Sequence, residues 1–365
     1  QGHGGGRIFG ARYGLAGLAH GDWVELTALD DARLQRLWVQ PAAALGGSRY
    51  RPTDAEWAAL PARLGAAGIS AAFLIGGGGT MAAAQRLHAE ALAQAVLLQV
   101  LGVPKTIDND LPGGDVTPGY GSAARYIAYT TQEIGLDLRA LRGFDQVSVI
   151  EVMGRHTGWL AAASALARTE PDDLPHLILL PEAPVAVESV LARIDAVFRR
   201  RQVCVVAVAE GVQDSAGRYW AEMLGGAGQD ASGQRVFSMS PGASAYLVQQ
   251  VQERLGLRCR QIKLNTAQRS TRLLAGALDR QLAALVGTAA VEAWAQGLGG
   301  VLPVLQRQGD EWRTALLGLG EVAGRQRTLP PTYRDDADFD ITEACRRYIA
   351  PLIDDPPPAP LVWIE

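Results

Sequence analysis

"AVLLQVLGV", residues 95–103, is almost wholly apolar, too short for a typical helix, and opens directly into "PKTIDNDLPGGD", residues 104–115. Continuous apolar runs of this length read as parallel strands buried on both faces. The loop that follows carries Lys105, Asp108, Asn109 and Asp110. Turn formation explains an Asp or Asn after a strand. It does not explain a lysine and two aspartates together.

The same arrangement recurs along the chain. "AAFLI" (71–75) opens into "GGGGTM", "QVSVIEV" (146–152) into "MGRHTG", "VCVVAV" (203–208) into "AEG", and "RCRQIKL" (258–264) into "NTAQR"; "HLILLPE" (176–182) is a further short apolar run. Between these runs lie segments of helical period, among them 81–95, 121–141, 186–201, 241–256 and 271–297. Alternating strand and helix predicts an α/β protein built on doubly wound sheets. In such sheets ligands gather beyond the carboxyl ends of the strands, where every one of these polar loops falls. The best surface-loop candidate is 214–234, and "DDPPPAP" (354–360) reads as an extended tail.

A chain of 365 residues predicts two lobes instead of one core. Apolar residues make up 48% and charged ones 20%, ordinary for a globular protein and against disorder. A formal charge of −4, with no basic block longer than Arg199–Arg201, gives no support for nucleic acid as the partner. Cys204, Cys259 and Cys345 are far apart and lack metal-ligand spacing, so no disulfide framework or zinc site is expected. The odd, scattered cysteines fit a reducing cytoplasm, and with no apolar stretch of membrane-spanning length and no signal peptide evident, no membrane partner is expected.

Among 34 basic residues only Lys105 and Lys263 are lysine. A compact ammonium in the charged loop suits a transferring phosphoryl group, with a carboxylate to accept a hydroxyl proton. Gly76, Gly77, Gly78, Gly79 and Thr80 join a strand to a helix that Thr80 is placed to cap, a cradle for an anion. Arg155, beside Gly154 at a strand end, is placed to reach a phosphate. Glu210 suits sugar hydroxyls, and Gln268 and Arg269 suit a phosphorylated sugar or an ordinary helix start. His156 reads as a packed histidine.

Taken in order from "RIFGARYGLAGL" at 7 to "YIAPLIDD" at 348, these motifs resemble the 6-phosphofructokinase family, "PKTIDND" and "EVMGRHTG" being its most specific phrases. Lys105 and "TPGYGSAARYIA" (117–128) resemble the pyrophosphate-dependent branch. The resemblance implies two Rossmann-like sheets, Mg²⁺ as cofactor, and fructose 6-phosphate and pyrophosphate as substrates. It implies Asp108 as the base for the C1 hydroxyl, with Lys105 and Arg155 as catalytic cations. It assigns Thr106, Asp110, Met153, Gly154, Glu210, Thr266, Gln268 and Arg269 to the acceptor, and the glycine loop with Arg49 to the donor. Arg260 aligns with an arginine lent across a subunit interface, which implies a homodimer or homotetramer. The expected donor lobe is 1–121 with 268–310, and the expected acceptor lobe 122–267 with 311–353, followed by a tail.

Three departures accompany the resemblance. The family has an acidic residue or asparagine near the metal at the place of Gly78, leaving Asp110 as the expected ligand here. Pyrophosphate users add an aspartate at the place of Gly79, where ATP users have glycine. The family's first strand and glycine loop are not found ahead of Arg7, so an incomplete chain and an unpaired sheet edge are expected. An ATP-dependent enzyme and a catalytically silent sugar-phosphate-binding protein stay open as alternatives.

Overall fold

The computed structural model describes residues 6–170, 173–225, 228–229, 235–237 and 240–359; parts of the expected surface loop and tail lie outside them. The chain divides into two compact units. One holds the residues up to Gly119 and Arg280–Arg327, the other Tyr120–Gln229, Arg235–Asp279 and the residues from Thr328 onward.

In the first unit, β1 (Phe9–Ala11) pairs antiparallel with β2 (Trp23–Glu25), flanking the short helix α1 (Leu15–His20). Helices α2 (Asp31–Val39) and α3 (Asp54–Ala66) follow. α3 starts where Thr53 accepts from the Glu56 amide and Glu56 returns a carboxylate to the Thr53 amide, a reciprocal cap. Then come β3 (Ala71–Gly76), α4 (Gly78–Ala93) and β4 (Gln99–Pro104).

The chain completes this sheet with β11 (Val301–Gln308) and β12 (Glu311–Gly318), in the order β12-β11-β4-β3. β3 and β4 are parallel in register from Ala71↔Gln99 to Gly76↔Pro104, whereas β11 and β12 form an antiparallel hairpin. That hairpin is not evident from short apolar runs, because β12 alternates half-buried and exposed residues and only β11 is buried. β3 stands at the sheet's edge with Phe73 and Ile75 exposed. Leu74, on its other face, belongs to a buried apolar cluster with Met81, Leu87, Trp57, Leu60, Leu302 and Leu319. Side chains buried to this degree contribute about 1.5–3 kcal/mol each relative to exposure.

The second unit carries an all-parallel sheet in the order β10-β5-β7-β6: β5 (Val147–Val152), β6 (Leu177–Leu179), β7 (Cys204–Ala209) and β10 (Cys259–Lys263). Every residue of β5, β6 and β7 is buried, as the continuous apolar runs require. The strand pairs β8 (Gly228–Gln229) with β9 (Arg235–Val236) and β13 (Arg334–Asp335) with β14 (Asp340–Ile341) are short hairpins. Helices α5 (Tyr120–Ala140), α6 (Trp159–Ala163), α7 (Val187–Arg201), α8 (Gly242–Leu255) and α11 (Glu343–Ile349) belong here; α10 (Leu319–Val322) belongs to the first unit. α9 (Ala277–Ala295) starts six residues later than its period predicts, at amides that Asp354 accepts from.

The division between the units differs from the expected lobes. It falls at 119/120, 279/280 and 327/328, because β12 is hydrogen-bonded to β11 along its whole length and so keeps 311–327 with the first sheet. All three cysteines are buried and unpaired. Among the described residues no helix is long and apolar enough to cross a membrane.

Candidate active site

In the first unit two loops adjoin at the carboxyl ends of β3 and β4. The Lys105 amide donates to the Gly76 carbonyl at 3.0 Å, extending the ladder one step past Pro104. A Cβ on Gly77 would stand 3.3 Å from Thr106 Cβ, so the glycine loop lies directly against the charged one. A Cβ on Gly76 would meet Thr80 Oγ1 at 2.2 Å, so only glycine permits this approach.

Thr80 is therefore not the helix cap that the sequence suggests. Gly77 holds that position, α4 begins at Gly78, and no side chain caps the end. With no side-chain cap, the first turn and the helix dipole make an end suited to an anion.

The charged loop is tightly determined. Thr106 Oγ1 accepts from the Asp108 amide at 3.2 Å, and the Thr106 amide donates to Pro118 at 3.1 Å, closing the excursion on itself. Asn109 is fully buried with φ +55, a left-handed conformation that Asn tolerates better than most residues. Its Oδ1 accepts from the Thr117 amide at 3.0 Å. Lys105 is exposed at the loop's start and Asp108 half-buried. Burial raises the pKa of Asp110, against hydrogen bonds and the Arg327 charge that lower it. Asp110 Oδ1 is buried without a hydrogen-bond partner among the described residues.

Sequence reasoning gave Asn109 no role beyond the turn, whose shape it fixes here. It also missed Gln326 and Arg327, which reach Asp110 and Asn109 from far along the chain. Nothing in "GRQRT" marks them. Arg49 is exposed on the irregular stretch between α2 and α3.

The second unit gathers its own set at the carboxyl ends of β5, β7 and β10. The Glu210 amide donates to Val152 at 2.9 Å, the Gly211 amide to Gly154 at 3.1 Å, and the Leu264 amide to Glu151 at 3.2 Å. Gly154 has φ +139, and a Cβ there would come within 2.5 Å of the Thr157 carbonyl. This sharp turn presents Arg155, half-buried with its guanidinium over the Phe237 ring. His156 is exposed, not packed.

Gln268 differs from its expected role. It is 2% exposed, Oε1 accepts from the Met153 amide at 3.0 Å, and Nε2 donates to Asn265 at 3.0 Å. Both ends of the amide are engaged by backbone, so Gln268 orients the Met153 loop. Thr266 and Arg269 are exposed on the same turn. Arg260 stands apart: it pairs in register with Ser148, near the opposite end of the sheet, and its guanidinium bonds Asp145. A further buried carboxylate, Glu151, accepts from the Ser244 amide and hydroxyl at the start of α8 and pairs with Lys263 at 3.1 Å.

The sequence profile of the Phosphofructokinase family matches residues 2–294. The pyrophosphate--fructose 6-phosphate 1-phosphotransferase of Xanthomonas campestris is 35% identical over 356 residues, 95% of this chain and 84% of that protein. The ATP-dependent 6-phosphofructokinase 3 of Streptomyces coelicolor is 30% identical over 337 residues, 92% of this chain and 90% of its own length. Among solved structures, the pyrophosphate-dependent phosphofructokinase of Nitrosospira multiformis superposes with a TM-score of 0.86 at 32% identity, covering 97% of this chain and 86% of that one. With two α/β sheets, "PKTIDND" at the exit of one and "MGR" at the exit of the other, this chain belongs to the phosphofructokinase family.

Proposed function

We propose that the protein transfers a phosphoryl group from pyrophosphate to the C1 hydroxyl of fructose 6-phosphate, yielding fructose 1,6-bisphosphate and phosphate. The observation that supports this reading is the abutment of the loop that carries Lys105 and Asp108 on the glycine loop, whose Gly77 precedes a helix end without a side-chain cap.

Asp108 takes the hydroxyl proton as O1 attacks the nearer phosphorus. The bond to the bridging oxygen breaks, and its electron pair leaves with the second phosphate. Lys105 and the amides of α4 offset the charge that develops there. Met153, Gly154, Arg155, Glu210, Thr266 and Arg269 hold the acceptor, Arg155 and Arg269 through its phosphate and Glu210 through its hydroxyls. Gly76–Thr80 and Arg49 hold the donor, and Thr106 supports both the acceptor sugar and the Asp108 amide.

No group of three or more His, Cys, Asp and Glu able to hold a metal occurs among the described residues. The unpartnered Asp110 Oδ1 nevertheless fits a Mg²⁺ held mostly by phosphate oxygens, as Mg²⁺ commonly is. The ion would supply charge neutralisation on the donor, with Asp110 as the protein's contribution. We place the protein in the cytoplasm as a homodimer or homotetramer.

One feature favours ATP as donor: position 79 is glycine, so no acidic side chain crowds a larger donor there, although packing leaves room for one. A coupled assay for fructose 1,6-bisphosphate with pyrophosphate or ATP as sole donor separates the readings. Turnover with pyrophosphate alone supports the proposal, turnover with ATP alone reverses the donor assignment, and fructose 6-phosphate binding without turnover indicates a silent protein.

A further inference from the structure

The loop that carries Asp108 is held from a distant part of the chain. Arg327 Nε donates to the Asn109 carbonyl at 3.2 Å, while Nη1 donates to the carbonyls of Gly114 at 2.7 Å and Asp115 at 2.8 Å. The Arg327 backbone amide donates to the Asp110 carbonyl at 2.7 Å, and Gln326 Nε2 reaches Asp110 Oδ2 at 3.5 Å. The far end of the excursion is already fastened to β11: the Asp115 amide donates to Leu305 at 2.7 Å, and Asp115 Oδ2 accepts from the Arg307 amide at 2.7 Å. Arg327 thus links the carbonyl next to Asp108 with carbonyls anchored on the sheet.

We propose that Arg327 is a positioning residue for phosphoryl transfer, a planar staple that fixes Asp108 by joining the two ends of the 109–115 excursion. The proposal rests on the assignment of Asp108 as the base. Two properties of arginine suit the role. Its flat fork serves several acceptors at once, which a lysine ammonium on a flexible stem does not reproduce. It also holds Asn109 in a left-handed conformation that a non-glycine residue leaves readily when its surroundings loosen. Misplacement of a base by about 1 Å lowers turnover on the order of 10²-fold.

The test uses the full chain with Arg327→Lys and Arg327→Ala, read by steady-state kinetics and by amide hydrogen exchange. Both variants are expected to keep their fold and their KM for fructose 6-phosphate within about threefold, while kcat falls by about 10-fold or more. Millimolar guanidinium is expected to restore part of the Arg327→Ala loss, which a general structural defect would not allow. Exchange is expected to accelerate at 109–117 and to stay unchanged in β5 and β7. Unchanged kcat in both variants overturns the proposal, as does exchange at the wild-type rate in 109–117. If the wild-type protein turns over with neither donor, the functional reading fails by itself, and the exchange measurement alone decides whether the staple exists. A variant that unfolds is replaced by Gln326→Ala, expected to accelerate exchange near Asp110; no acceleration there counts against the staple.

Discussion

At the scale of single residues, the geometry asks most of Asp108, whose amide is tied to Thr106 Oγ1 and whose neighbour Asn109 is locked underneath. Asp108→Asn keeps the shape and removes the basicity. Turnover is expected to fall about 10²-fold or more with KM for fructose 6-phosphate little changed; a loss of less than a few-fold would reassign the base. Gly78 and Gly79 give a second test, since a Cβ at Gly78 comes no nearer than 4.0 Å to Leu111 Cδ2 and one at Gly79 meets nothing. Packing therefore does not demand glycine at either place. Gly79→Asp is expected to fold at least as stably as the parent, aspartate being the better residue in a first helical turn. It is expected to shift kcat/KM several-fold toward pyrophosphate over ATP, and an unchanged ratio would show that donor choice lies elsewhere.

Elements supply what single residues cannot. The strand exits were legible because β5, β6 and β7 are buried on both faces and therefore read as unbroken apolar runs. The hairpin of β11 and β12 was not, because an edge strand with half-exposed alternation carries a weak signal. Gln268 shows a similar limit: its residue type suits a ligand, yet only the fold reveals that both ends of its amide are engaged by backbone. Gln268→Ala leaves the Met153 amide and the Asn265 carbonyl without this partner, at a cost of about 1–3 kcal/mol. A thermal melt should show that loss together with a raised KM for fructose 6-phosphate. An unchanged KM would mean that the Met153 loop is held by other contacts.

Across the whole molecule, the two-unit organisation followed from length and alternation, while the true division waited on which strands pair, a long-range property that spacing does not encode. One half-buried histidine ties global stability to pH. His176 accepts from the Val205 amide through Nδ1 at 3.0 Å, and burial, reinforced by Arg168, lowers its pKa to about 4. Since the unfolded chain binds that proton near pH 6.5, the stabilisation is complete above the unfolded value and is lost as pH falls from about 6.5 toward 4. At most about 3 kcal/mol is involved. His176→Asn, which retains an acceptor without the titration, should give a shallower decline of Tm across that window; an identical decline would assign the acid lability to other groups. The central claim, transfer from pyrophosphate to a sugar hydroxyl, is tested most directly by phosphorus NMR of the protein with Mg²⁺, pyrophosphate and fructose 6-phosphate. The account predicts loss of the pyrophosphate resonance with matched growth of inorganic phosphate and a new sugar 1-phosphate signal, and the reverse change from fructose 1,6-bisphosphate and phosphate. A pyrophosphate signal that persists, or that decays to phosphate without any new sugar ester, would contradict it.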